Sequence, residues 1–168
     1  GGWRVDILAD NGTTTALAAD ASTAARPQRD VLMCAASYHV DTWYLAAVDN
    51  TGETGDNLSV WKSTDATTWS QIGNDFTTTG TAAGLAIANT GSTSSDTGVW
   101  VGVNDAGNVK VLHYEDIAGG STNVWREMGE PLNGAGTSGV SIATDGTSVI
   151  AVSAIISAVA NVGFWYNQ

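Results

Sequence analysis

The sequence predicts an all-β fold: a β-propeller-like array of three four-stranded antiparallel blades, the last blade closed by the N-terminal strand. Three observations lead there. Trp69 opens WSQIG and Trp125 opens WREMG, 56 residues apart, and upstream of them stand Trp43 and Trp100, 57 apart. A repeat of that length made of strand-like segments and turns reads as one sheet copied along the chain. Second, no long helical period with capping signals is present, so little helix is expected. Third, the last copy is split: the C-terminus stops at NVGFWYNQ, while a matching piece, Trp3 in WRVDIL (3–8), stands at the N-terminus.

Each element follows from its residues. Residues 1–10 supply the closing strand. Residues 11–29, NGTTTALAADASTAARPQR, form an arm; a structureless loop of that length is uncommon in a compact domain. Ala16 to Ala25 fits a short helix behind Thr15 that Pro27 ends, and the alternative is a surface arm embracing a neighbour. Blade one, 30–76, runs DVLMCAAS (30–37), the turn Tyr38-His39-Val40-Asp41, TWYLAAV (42–48), the polar loop DNTGETGDN (49–57), LSVWKS (58–63) and TWSQIG (68–73). Blade two, 77–132, repeats the order with GLAIAN (84–89), GVWVGVN (98–104), the turn DAGN, VKVLHYE (109–115) and VWREMG (124–129). Blade three, 133–168, gives GVSIAT (139–144), the turn DGT, SVIAVSAI (148–155) and NVGFWYN (161–167).

Small residues in the first strands (Ala35, Ala36, Gly84, Ala86, Gly139) are expected where several inner strands converge on one axis. An outer-strand Trp buries roughly 150–250 Å², which at about 25 cal/mol per Å² contributes on the order of 4–6 kcal/mol before entropy is counted. These tryptophans are first of all core.

A chain of 168 residues is one domain able to bury a core, and 43% hydrophobic with 14% charged residues fits a folded, sheet-rich protein. The net charge of −11 repels phosphate backbones and anionic lipid, which excludes nucleic acid and membrane surfaces as natural partners. Solubility in salty or extracellular surroundings is the plain reading of that charge. The lone cysteine, Cys34, excludes an internal disulfide. Its apolar run VLMCAAS marks it as a small core residue rather than a nucleophile. Val149 to Val162 is too short to span a bilayer, so no membrane insertion is expected. The missing initiator Met is compatible with a processed or a trimmed N-terminus.

The segment Ser63-Thr64-Asp65-Ala66-Thr67-Thr68-Trp69 resembles the Asp-box (BNR-type) motif of sialidase-like β-propellers, Ser-x-Asp-x-Gly-x-Thr-Trp, with one residue and the glycine missing. The resemblance implies a hairpin between third and fourth strands, with the Asp bonding backbone amides and the Trp packed between blades. It covers one turn; the second unit offers only Asp116 in an expanded loop. Sialidase chemistry, as the resemblance implies it, requires an arginine cluster. Arg4 and Arg126 fall on outer strands and Arg26 and Arg29 in the arm. The resemblance therefore bears on fold and not on glycosidase activity.

No catalytic set emerges: there is no phosphate-cradling glycine loop, nucleophile elbow or Ser/His/Asp set. His39 and His113 lack metal-ligand spacing to each other or to Cys34. The carboxylates Asp49, Glu53 and Asp56 offer a Ca²⁺ loop whose spacing departs from an EF-hand, with a solvated hairpin loop as the favoured alternative; Glu115 and Asp116 form a second acidic pair. Neither a metal nor a cofactor is expected. Trp43, Trp61, Trp100 and Trp165 are the candidate ligand-binding residues, since a flat aromatic face beside a groove stacks on a sugar ring. Structural packing is the competing role for each.

Three blades are too few to close a ring, which takes about four. Alone they leave two apolar sheet flanks bare, so copies are expected to associate, most simply as two chains giving a six-bladed ring. The function expected is a non-catalytic carbohydrate-binding, lectin-like propeller acting as a homo-oligomer, extracellular or on a virion surface. The alternative is a structural subunit of a virion, tail fibre or extracellular filament with no small-molecule ligand. Its support is the Thr/Ser/Gly-rich, lysine-poor composition and the long arm.

Overall fold

Alternating apolar and small polar residues, interrupted by turn-forming dipeptides, fold into antiparallel sheets and no helix among the described residues. The computed structural model describes residues 6–8, 14–16, 31–49, 57–66, 68–93, 96–117, 125–129, 132–133, 138–147, 150–156 and 161–167. Strands β1 (Asp6–Leu8) and β2 (Thr14–Ala16) form a hairpin. Sheet one holds β3 (Val31–His39), β4 (Thr42–Asp49), β5 (Asn57–Ser63), β6 (Ser70–Gln71) and β7 (Phe76–Thr77). Sheet two holds β8 (Ala82–Thr90), β9 (Asp96–Asp105), β10 (Asn108–Ile117), β11 (Arg126–Glu127) and β12 (Leu132–Asn133). Sheet three holds β13 (Ser138–Thr144), β14 (Ile150–Ile156) and β15 (Asn161–Asn167).

Two hairpins close on two-residue turns in the left-handed region, which match the twist of the flanking strands. Val40 and Asp41 join β3 to β4 at φ 43° and 58°, and Ala106 and Gly107 join β9 to β10 at 52° and 95°. The pairing register makes sheets one and two copies of each other. Trp61 faces Gln71 as Leu112 faces Glu127, and Leu58 faces Phe76 as Val109 faces Leu132. In both sheets the fourth strand is split after a glycine at positive φ, Gly73 (66°) and Gly129 (113°). The backbone amides before them still bond the third strand, Ile72 to Val60 at 2.9 Å and Met128 to Val111 at 2.7 Å. The repeat therefore runs through IGNDFT and MGEPLN, further than the tryptophan spacing indicates.

The sheets stack side by side through opposite faces. The leading face of sheet one, Tyr44, Ala46, Val48 and Val60, packs on the trailing face of sheet two, Val99, Val101, Val103 and Leu112. The leading face of sheet two, Trp100, Val109 and Val111, packs on the trailing face of sheet three, Ile150, Val152 and Ala154. Along the first strands the approach is closest between β8 and β13. A Cβ at Gly84 would lie 2.9 Å from the carbonyl carbon of Gly139 and the amide of Val140. Small residues are required there. Among the described residues the sheets close into no ring or barrel.

Three expectations change. The N-terminal strand is present as β1, but it pairs with β2, while sheet three ends on β15. Asn11-Gly12 between β1 and β2 favours a local hairpin, and closing that short loop costs about 3 kcal/mol less in chain entropy than bringing both chain ends together. Ala16, placed at the start of a helix, ends β2; residues 17–30 lie outside the described residues. Cys34 is exposed rather than core, because β3 is an inner strand whose trailing side meets no further sheet among the described residues.

Candidate functional site

The trailing face of sheet one has the composition of a covered sheet face, and no sheet among the described residues lies upon it. Its strand pairs set Tyr38 opposite Trp43, Ala36 opposite Leu45, and Leu45 opposite Trp61. Residues directly opposite share a face, so these side chains form one surface. Leu45 is buried, whereas Leu32, Cys34, Ala36, Tyr38 and Trp43 are exposed. Tyr38 is 54% and Trp43 43% exposed. Their rings lie 4.6 Å apart at 47°. The tight Val40-Asp41 turn brings Asp41 beneath them, and the Tyr38 hydroxyl donates to Asp41 Oδ1 at 3.0 Å. That hydrogen bond, with smaller effects of desolvation and the nearby negative charge, holds the phenol above its ordinary pKa.

The four candidate tryptophans part company. Trp43 and Trp61 share the trailing face of sheet one; Trp61 is half-buried, and its indole N–H is buried without a hydrogen-bond partner among the described residues. Trp100 is buried on the opposite, leading face of sheet two, where Nε1 donates to Thr90 Oγ1 at 2.9 Å and the ring stacks on His113 at 3.9 Å. It offers no ligand surface. Trp165 lies opposite Val152 in β15, and its side chain lies outside the described ones. Trp43 and Trp100 differ because the pairing relates β4 to β9 by 56 residues, which makes Tyr44 the counterpart of Trp100 and Val99 that of Trp43. A spacing of 57 is one residue off, and one residue in a strand reverses the face. Sequence reasoning missed Tyr38 and Asp41 as members of the surface; the signal was their place flanking a two-residue turn before Trp43.

Other expected groups serve structure. His39 Nε2 lies 2.9 Å from the Gly91 carbonyl, and Ser37 bonds Asn89, tying sheet one to sheet two. No group of metal-binding side chains occurs among the described residues; Asn50 to Asp56 and the side chains of Asp49, Glu115 and Asp116 lie outside them. Asp65 accepts the Thr68 amide at 2.7 Å and the Ser63 hydroxyl at 3.0 Å, which closes the β5–β6 turn. Asp105 is buried, accepting from the amides of Thr79 (2.8 Å) and Gly80 (3.0 Å), and it pairs with Lys110 Nζ at 2.9 Å. Arg126 is exposed on β11, and the other three arginines lie outside the described residues. No described helix is long and apolar enough to cross a membrane.

No protein-family model matches the chain, and no curated protein matches it. The face itself provides apolar area, two exposed rings and one carboxylate already engaged by Tyr38.

Proposed function

We propose that the chain is a non-catalytic, self-associating structural module, its sheets in propeller-like radial order, serving an extracellular or virion-surface assembly. One observation carries the reading. Tyr38 and Trp43 are exposed, while their counterparts in sheet two, Asn89 and Val99, are 3% and 0% exposed under sheet one. The chain thus supplies its own example of what covers such a face. Stacking order, small residues at the β8–β13 approach and the Asp65 turn agree with the Asp-box propeller resemblance. Native mass spectrometry at micromolar concentration tests the reading: particles of two or more chains are expected, and a strict monomer overturns it.

A second reading keeps the carbohydrate-binding role, centred on the Tyr38–Trp43 pair with Asp41 at its rim. The exposed rings favour it. It ranks lower because the surface is a broad apolar face, and its carboxylate is bound to Tyr38 instead of standing open for a sugar hydroxyl. Glycan-array binding abolished by Trp43→Ala supports it; no binding on the array removes it.

A further inference from the structure

The chain's two internal interfaces have a direction. In each, the leading face of one sheet receives the trailing face of the next, with small residues at points of close backbone approach. Ala35 and Ala46 of sheet one join the cluster of Ile87 and Val101 of sheet two. Gly102 of sheet two sits under Val140 of sheet three, where a Cβ would lie 2.7 Å from Val140 Cγ1. Among the described residues two faces are left over, and they continue the same order. The leading face of sheet three holds Ala151, Ser153 and Ile155, with Ser141 and Ala143 opposite on β13 and Tyr166, Phe164 and Val162 opposite on β15. Ile155 is 48% exposed. The trailing face of sheet one presents Trp43, Tyr38 and Trp61. None of these residues is charged, in a chain with 17 acidic and 6 basic residues.

We infer that the trailing face of sheet one docks on the leading face of sheet three of a second copy, head to tail. The inference rests on the self-association reading and adds the partner face. It extends the stack one–two–three into one–two–three–one by the interface already built twice within the chain. Pairing two sheet-one faces about a two-fold axis would join trailing face to trailing face, an arrangement neither internal interface uses. A head-to-tail contact is heterologous: it closes into a ring if the rotation permits and otherwise grows as a filament.

Complementation tests it. Trp43→Glu blocks the head face and Ile155→Glu the tail face, and both positions are exposed, so folding is expected to survive. Each variant alone is expected to be monomeric by light scattering, and an equimolar mixture to form a pair and nothing larger. Association retained by Ile155→Glu, or a mixture that stays monomeric, overturns head-to-tail docking. A monomeric wild type overturns the self-association reading beneath it, so the two failures are distinct. Cys34 gives an independent readout on the assembled protein. With Ser153→Cys, a bismaleimide is expected to link Cys34 to the introduced thiol of a neighbour; Cys34–Cys34 links in the wild type indicate face-to-face pairing and overturn the proposal.

Discussion

Asp105 carries a charge in a place that disfavours it. Burial raises its pKa, yet the Thr79 amide, Lys110, the Thr79 hydroxyl and the Gly80 amide together outweigh that and hold the carboxyl below its ordinary value. The sign follows by linkage: with a depressed folded pKa, the stabilisation is complete above the unfolded value near 3.8 and is lost as pH falls through the folded value. Thermal melts are expected to show stability falling below about pH 4. Asp105→Asn, which removes the negative charge facing the nearly buried Lys110, is expected to cost about 3 kcal/mol at pH 7 and to flatten that acid limb. Tyr38 makes the complementary case on the surface. Asp41→Asn removes the acceptor charge, so the phenol is expected to ionise at lower pH, nearer 10.0, in an ultraviolet titration; an unchanged midpoint would mean that the Asp41 contact is not held in solution. Composition identified neither residue. Asp105 reads as a turn residue in DAGN, and its partners in Thr79 and Gly80 are set by tertiary folding. Trp43 and Trp100 look interchangeable until the pairing register assigns them to opposite faces.

At the scale of elements, the strands were legible wherever apolar residues alternate between turn signals. The split fourth strand was not, because pieces as short as Phe76–Thr77 and Leu132–Asn133 carry no periodicity. The closing strand differs for a physical reason: the repeat argues for a distant partner, whereas β1 pairs with β2, its neighbour in sequence. Gly73 shows what the split accomplishes. It takes φ 66°, and a Cβ there would lie 2.6 Å from Trp125 Nε1, so the bend lets the outer tryptophan of sheet two lie against sheet one. Trp125 in turn meets Tyr114 with ring centroids 5.3 Å apart. Gly73→Ala is expected to cost roughly 2–4 kcal/mol, left-handed strain plus displacement of the indole. Gly146→Ala, at φ 81° with nothing within 4 Å of its Cβ, isolates the backbone part and is expected to cost about 1–2 kcal/mol. Urea melts separate the two, and equal losses would show that Trp125 does not pack on Gly73.

For the whole molecule, charge and apolar area oppose each other. Each copy carries −11, so bringing copies together is repulsive at long range, while the faces proposed to meet are mainly apolar, with Asp41 at the rim of one. The Debye length falls from about 30 Å at 0.01 M salt to about 8 Å at 0.15 M. Screening therefore removes the repulsion and leaves the apolar contact untouched. Sedimentation velocity is expected to show the concentration for half-association falling as salt rises from 10 to 500 mM, and Trp43→Glu to abolish the effect by removing the association itself. The sign is diagnostic. An interface built on ion pairs weakens with salt, so an assembly that dissociates on the same titration would place the contact on the acidic surface and not on the sheet faces.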